Sequence, residues 1–183
     1  MRETLMAAAR LTVQAHGYNA LSFRELAQEV GIKSASVHHH FPTKGALAAA
    51  LARRYTEDGV AYLSDLLARS SNPTWCMDRY VEIFRSALTN DNRMCLCGIM
   101  SAELDDLPPE VRSEIDAFTA TNVEWIAKVL EFSKSKTSAQ ERLDRAIAIF
   151  SAIEGAQLVA RGGQDISIFD RSVQAYRRAG LIP

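Results

Sequence analysis

Apolar residues recur at intervals of three and four through most of the 183-residue chain, the spacing of one face of a helix. Runs of β-branched residues in period-two alternation are missing, and Gly and Pro fall at punctuation points, so the pattern predicts an all-α fold. Arg2 to about His16 carries Leu5, Ala8, Ala9, Thr12 and Val13 on one stripe, with Gly17 as the stop. Ser22 and Glu25 have the spacing of a capping box, opening a helix that ends at Gly31. Ser34 is placed to cap a very short helix, closed at Phe41-Pro42 because the residue before proline disfavours helical geometry. Thr43 opens a long helix over about 44–70, with Leu47, Leu51, Tyr55, Tyr62, Leu63, Leu66 and Leu67 inside.

The rest follows the same grammar. Asn72-Pro73 starts a helix to about Leu88, and Thr89-Asn90-Asp91-Asn92 is a polar break. Cys95 to about Asp105 reads as one short helix. Pro108-Pro109-Glu110 starts another to Phe132, with Val111, Ile115, Phe118, Val123, Ile126, Val129 and Leu130 as its buried set. Ser138 and Glu141 form a second capping-box pattern, opening a helix to Arg161 that Gly162-Gly163 ends. A last helix spans about Ile166–Ala179. The expectation is nine helices, three of them crowded into the first 41 residues, and a boundary that separates a head over 1–45 from a body over 46–183.

Charge sharpens this division. Residues 1–54 hold seven Lys and Arg against three acids, a net of +4, while residues 55–183 hold 14 against 19, a net of −5. All four histidines lie in the first segment. Such polarity suggests a small basic module that meets a polyanion, carried by an acidic body. With 48% hydrophobic and 23% charged residues, disorder and fibrous classes are excluded. No apolar run approaches the roughly 20 residues of a membrane span, and the first residues lack the apolar core of a secretory leader. Three cysteines fit a reducing compartment, so a cytoplasmic protein with no membrane partner is expected.

Function concentrates in Phe23–Val30, Gly31-Ile32-Lys33 and Ser34–His40, which together have the layout of a helix-turn-helix. Gly31 supplies the left-handed conformation of a tight turn, Ala27 is small where two helices cross, and Ile32 and Val37 plug the core. The second helix keeps Lys33, Ser34, Ser36, His38 and His39 outward. So short a helix suits a major groove about 12 Å wide.

Residues 5–51 resemble the DNA-binding domain of the TetR (tetracycline-repressor) family of bacterial transcription regulators. The resemblance rests on the Ala-rich first helix, Gly17-Tyr18, Ser22-Phe23-x-x-Leu26-Ala27, Val30-Gly31-Ile32 and His39-His40-Phe41-Pro42-x-Lys44. It implies base contacts from Lys33, Ser34, Ala35 and Ser36, phosphate contacts from His38, His39 and Lys44, and a backbone approach at Ser22 and Phe23. It further implies double-stranded DNA with a palindromic operator as partner, a homodimer, and a small organic effector. Two positions depart from the family pattern. His38 stands where tyrosine is usual, which would make DNA affinity pH-sensitive. Gly45 stands where an acid commonly follows the lysine, which would soften the first turn of the long helix by up to ~1 kcal/mol.

The body resembles the family's effector-binding and dimerisation domain in length and helix count. Leu63, Leu67, Val81, Phe84, Cys95, Met100, Phe118, Trp125 and Phe150 are candidates to line an effector pocket, with Glu154 and Gln157 orienting a polar group. Ile149, Ile153, Ala156, Ala160, Ile166, Phe169, Val173 and Tyr176 exceed what one inward face requires and are candidates for a dimer interface. Cys95-Leu96-Cys97 lacks the partners of a zinc site, and consecutive histidines at 38–40 point about 100° apart, so no metal is expected. The segment around Cys95 also resembles a TetR subgroup in which some members sense electrophiles or oxidants by cysteine. Arg93 and the helix start beside it would favour a thiolate at Cys95. Cys76 reads as packing. No paired carboxylates, phosphate loop or metal cluster supports an enzyme, so no catalytic residue or cofactor is expected. The remaining rival is a helical partner-binding module without DNA affinity.

Overall fold

The computed structural model describes residues 1–133 and 137–183. Nine α-helices form among them: α1 Arg2–His16, α2 Phe23–Val30, α3 Ser34–His40, α4 Lys44–Arg69, α5 Pro73–Thr89, α6 Leu96–Ser101, α7 Pro109–Glu131, α8 Ala139–Gly162 and α9 Ile166–Arg178. The fold is all-α, as the periodicity predicts. The expected helix over 95–105 is broken into α6 and a 3₁₀ turn at Leu104–Asp106. That turn is closed by Leu107 N–H on the Leu104 carbonyl.

Local chemistry explains most helix boundaries. Ser138 and Glu141 complete their capping box, with Glu141 N–H on Ser138 Oγ at 3.2 Å and Ser138 N–H on Glu141 Oε2 at 2.7 Å. Those bonds hold the Glu141 carboxyl below its usual range. At Ser22 only the serine half is present, accepting from Glu25 N–H at 3.4 Å. Asn72 and Thr43 cap α5 and α4, accepting from Trp75 N–H and Ala46 N–H. Ser34 does not cap α3; Lys33 holds that position without a side-chain bond, and Ser34 is already inside the helix.

The chain divides into two compact units, residues 1–57 with 95–118, and residues 58–94 with 119–183. The first unit therefore extends past residue 45. The opening turns of α4 and the segment from Cys95 to Phe118 pack with the head. Its core is built from Leu5, Ala9 and Val13 of α1, Leu26 and Ala27 of α2, Val37 of α3, and Leu47 and Leu51 of α4. The α6 helix packs on α1 and buries Leu96 and Met100. The second unit buries Leu63, Leu66, Met77, Tyr80, Ile126, Val129, Ile149, Ile153 and Phe169. Each fully buried side chain of this size contributes roughly 1.5–3 kcal/mol. The stripe expected on α4 loses one member: Tyr62 is exposed, because it lies about 100° round the helix from buried Leu63.

Gly45 has a role different from a soft first turn. A Cβ at Gly45 would lie 2.7 Å from Glu110 Oε1 and 2.9 Å from Pro108 Cγ, whereas one at Gly59 in the same helix meets nothing within 4 Å. Gly59→Ala should therefore stabilise the protein by up to ~1 kcal/mol through helix propensity. Gly45→Ala should destabilise it by about 1 kcal/mol or more through overpacking. Denaturant midpoints of the two variants would decide; an equal gain from both would remove the packing role of Gly45.

Candidate nucleic-acid interface

The turn between α2 and α3 begins at Gly31, whose φ of 75° and ψ of 33° place it in the left-handed region. A Cβ there meets nothing within 4 Å, so glycine answers a backbone need rather than a shortage of space. Ile32 N–H then donates to the Ala27 carbonyl at 2.9 Å and Gly31 N–H to the Gln28 carbonyl at 3.2 Å, satisfying carbonyls that the helix end would otherwise orphan. Ala27 is buried at the crossing and Val37 is the one fully enclosed side chain of α3. Ile32 is only half-buried, so Val37 does most of the plugging.

Everything else on α3 is open to some degree. Lys33, Ala35, His38 and His39 are exposed, Ser34 and Ser36 half-buried, and Ser22 and Phe23 half-buried at the start of α2. The His38 ring stands edge-on to Phe23, centroids 4.8 Å apart, which joins the two predicted positions across the motif. His39 and His40 pair in the same way at 5.5 Å. His40 is half-buried. The result is a short polar ridge, fastened from beneath by one valine and laterally by an aromatic contact.

Lys44, at the first residue of α4, has more partners than the sequence suggested. Its ammonium donates to the Asn19 carbonyl at 3.1 Å and lies 4.3 Å from the centre of the Tyr18 ring. Partial burial pushes the Lys44 ammonium down, and the fields of Glu103 and Asp106 oppose that shift. Burial raises the Tyr18 hydroxyl, helped by Glu110, Asp106 and Glu103. Glu103 and Asp106 sit 85 and 87 residues along the chain from Tyr18 and Asn19, respectively. Periodicity carries no signal for them; the only hint in the sequence is the acidic run Glu103-Leu104-Asp105-Asp106 itself.

Residues 5–51 match the sequence profile of the bacterial regulatory proteins of the tetR family. A TetR transcriptional regulator from Legionella pneumophila superposes with a TM-score of 0.91 at 29% identity, covering 100% of this chain and 97% of that one. Residues 5–51 thus carry the family's DNA-binding sequence pattern, and the whole chain shares the fold of such a regulator. A TetR-family regulator from Agrobacterium tumefaciens matches with a TM-score of 0.87 at 26% identity over 95% of this chain and 94% of that one. The reduced form of Escherichia coli NemR shares the fold, with a TM-score of 0.81 at 22% identity over 100% and 97%. No curated protein matches.

The predicted pocket residues fall into both compact units. Cys95, Met100 and Phe118 are buried in the first; Leu63, Val81, Phe84 and Trp125 are buried in the second, with Leu67, Phe150 and Glu154 half-buried there. The second unit ties several of its members together through polar bonds. Trp125 Nε1–H donates to the Leu63 carbonyl at 2.8 Å, and Gln157 Nε2–H to the Phe84 carbonyl at 2.7 Å. Tyr80 stacks on Trp125 at 5.1 Å and its hydroxyl pairs with buried Asn122 at 2.9 Å. Tyr80 and Asn122 were not among the predicted set, although a buried tyrosine needs such a partner.

The predicted interface residues are placed differently. Ile149, Ile153, Ala156, Ala160, Phe169 and Val173 are buried within the single chain, and Ile166 and Tyr176 are half-buried. They seal α8 and α9 to each other and to α5, so they offer little surface to a second molecule. What α8 leaves outside is another stripe: Leu143, Ile147, Leu158 and Val159 are 36%, 47%, 53% and 60% exposed. Helical spacing of three and four puts Ser151 and Gly155 on the same side.

Cys95 and Cys97 are both buried free thiols. Cys95 precedes the first residue of α6, and a hydrogen bond joins it to the Tyr55 hydroxyl, which burial pushes well above its ordinary value. Arg10 stacks over the same ring at 4.7 Å. The guanidinium of Arg93 is engaged with Asp91 and with the carbonyl of Asn90. Cys76 is fully buried, and burial raises its thiol.

Proposed function

We propose that this chain is a TetR-family regulator, a cytoplasmic, homodimeric repressor that a small organic effector releases from a palindromic operator. The observation that carries the reading is α3 itself: a polar, mostly exposed ridge held rigidly by Val37 and the Gly31 turn. A ridge of that size enters a major groove and presents Lys33, Ser34, Ala35 and Ser36 to base edges. His38, His39 and Lys44 face phosphates, with Ser22 and Phe23 at the flank. The head over 1–45 reads DNA, while the body supplies dimerisation and effector binding; half-buried Glu154 and buried Gln157 orient the effector among the apolar side chains of the second unit. One short helix reads only a few base pairs, so operator selectivity calls for two half-sites and a twofold protein. The exposed apolar stripe of α8 supports that requirement.

A duplex from the chain's own upstream region should be retarded at low salt. Lys44→Ala should weaken binding and lower the slope of log affinity against log salt by about one. Failure of the wild-type protein to bind, or an unchanged slope in the variant, would refute the DNA reading.

The dimer has a separate test. Leu158→Glu places a charge in the middle of the α8 stripe, and sedimentation should show a monomer where the parent is a dimer. A parent that sediments as a monomer would end the twofold account.

The bond from Tyr55 to Cys95 favours a second reading, in which Cys95 is an electrophile-sensing thiol on the same fold. A donor on sulfur stabilises the thiolate, the reactive form. N-ethylmaleimide should then release wild-type protein from DNA but leave Cys95→Ser bound. Equal release of both proteins would dismiss the thiol switch.

A further inference from the structure

The α1–α2 turn is held by carboxylates from a remote part of the first unit. Tyr18 N–H donates to Glu103 Oε2 at 2.5 Å and Asn19 N–H to Glu103 Oε1 at 3.2 Å, so one carboxylate takes two successive backbone amides. Asn19 Nδ2 donates to Asp106 Oδ2 at 2.7 Å. Gly17 makes room for this: its φ is +86°, and a Cβ there would stand 2.5 Å from Glu103 Oε2. The Asn19 carbonyl, pinned by these bonds, is the acceptor for the Lys44 ammonium. Two backbone amides, a side-chain amide and an ammonium are the donor set that elsewhere receives a phosphate oxygen. Here the chain's own carboxylates take the three amides, and the Asn19 carbonyl takes the ammonium.

We propose that Glu103 and Asp106 form an internal restraint on Lys44 that weakens its hold on DNA phosphate. This rests on the reading of Lys44 as a phosphate contact. The ammonium has three N–H bonds. One goes to Asn19, and the other two remain for a phosphate that must approach within the field of both carboxylates. Their negative charge opposes that approach and favours the lysine in its docked position. The two acids act through Lys44 and are positioning residues. Because Glu103 follows α6 by two residues, any displacement of α6 reaches the turn through this carboxylate. The restraint therefore sets how tightly the head binds DNA before an effector acts.

The test uses the full chain and a random-sequence duplex of about 30 base pairs, since non-specific affinity reports phosphate contacts alone. Asp106→Asn removes the charge but keeps an oxygen for Asn19. Glu103→Gln removes the charge and replaces one of two acceptors with a donor. Asp105→Asn removes the same charge one residue away and serves as the control. Asp106→Asn and Glu103→Gln should bind about two- to fivefold tighter than the parent at low salt, the scale of an exposed charge pair. Asp105→Asn should change little. In a Lys44→Ala background the gains should shrink to that of the control, which a merely structural role for the acids would not produce. Thermal midpoints establish that each variant is folded, and Asp106→Asn keeps the test available should Glu103→Gln unfold. Gains no larger than the control, gains that survive Lys44→Ala, or weaker binding by folded Asp106→Asn would overturn the restraint while leaving the DNA reading intact. A parent protein that ignores the duplex would remove both together.

Discussion

A helix of seven residues forms too few internal hydrogen bonds to persist by itself in water, and α3 is such a helix. Its existence depends on being laid across α2 and anchored by Val37, the single side chain it buries completely. Everything proposed for the chain follows from that anchoring. With only one residue spent on the core, the other six positions are left to present polar and small groups outward. The left-handed Gly31 fixes the angle at which they are presented. A longer or more apolar α3 would be more stable and less able to read anything.

The first unit uses charge to complete what apolar packing begins. Its α1–α2 turn is fastened by carboxylates, and the fastening comes from the acidic stretch beyond α6. Close approach is needed for this, and two glycines allow it. Gly17 faces the Glu103 carboxylate and Gly45 faces Pro108 and Glu110. A basic head and an acidic remainder were visible from composition. That two of the acids serve the head directly was not.

The second unit resolves a different ambiguity. Its α8 is apolar on more than one side, so the sequence marks it for contact without saying with what. The chain's own α5 and α9 take one side. Those contacts enclose Ile149, Ile153, Ala156, Ala160, Phe169 and Val173. The residues left over, Leu143, Ile147, Leu158 and Val159, lie on the opposite side. They are where a second copy is proposed to bind.

Nearly all the helices, their caps at Ser138, Asn72 and Thr43, and the helix-turn-helix over 23–40 were legible in the amino-acid order. Helix formation is local, depending on groups three and four residues apart, and glycine and proline act where they stand. The outward set on α3 was legible for the same reason: a single apolar position in a short helix leaves no choice of face. Tertiary structure alone decided three matters: the partners of Lys44, the tight contact behind Gly45, and which apolar face of α8 is covered. Each involves groups separated by tens of residues or a choice between two equivalent faces. No local spacing encodes such a choice, because the free energy that settles it arises only when the elements meet.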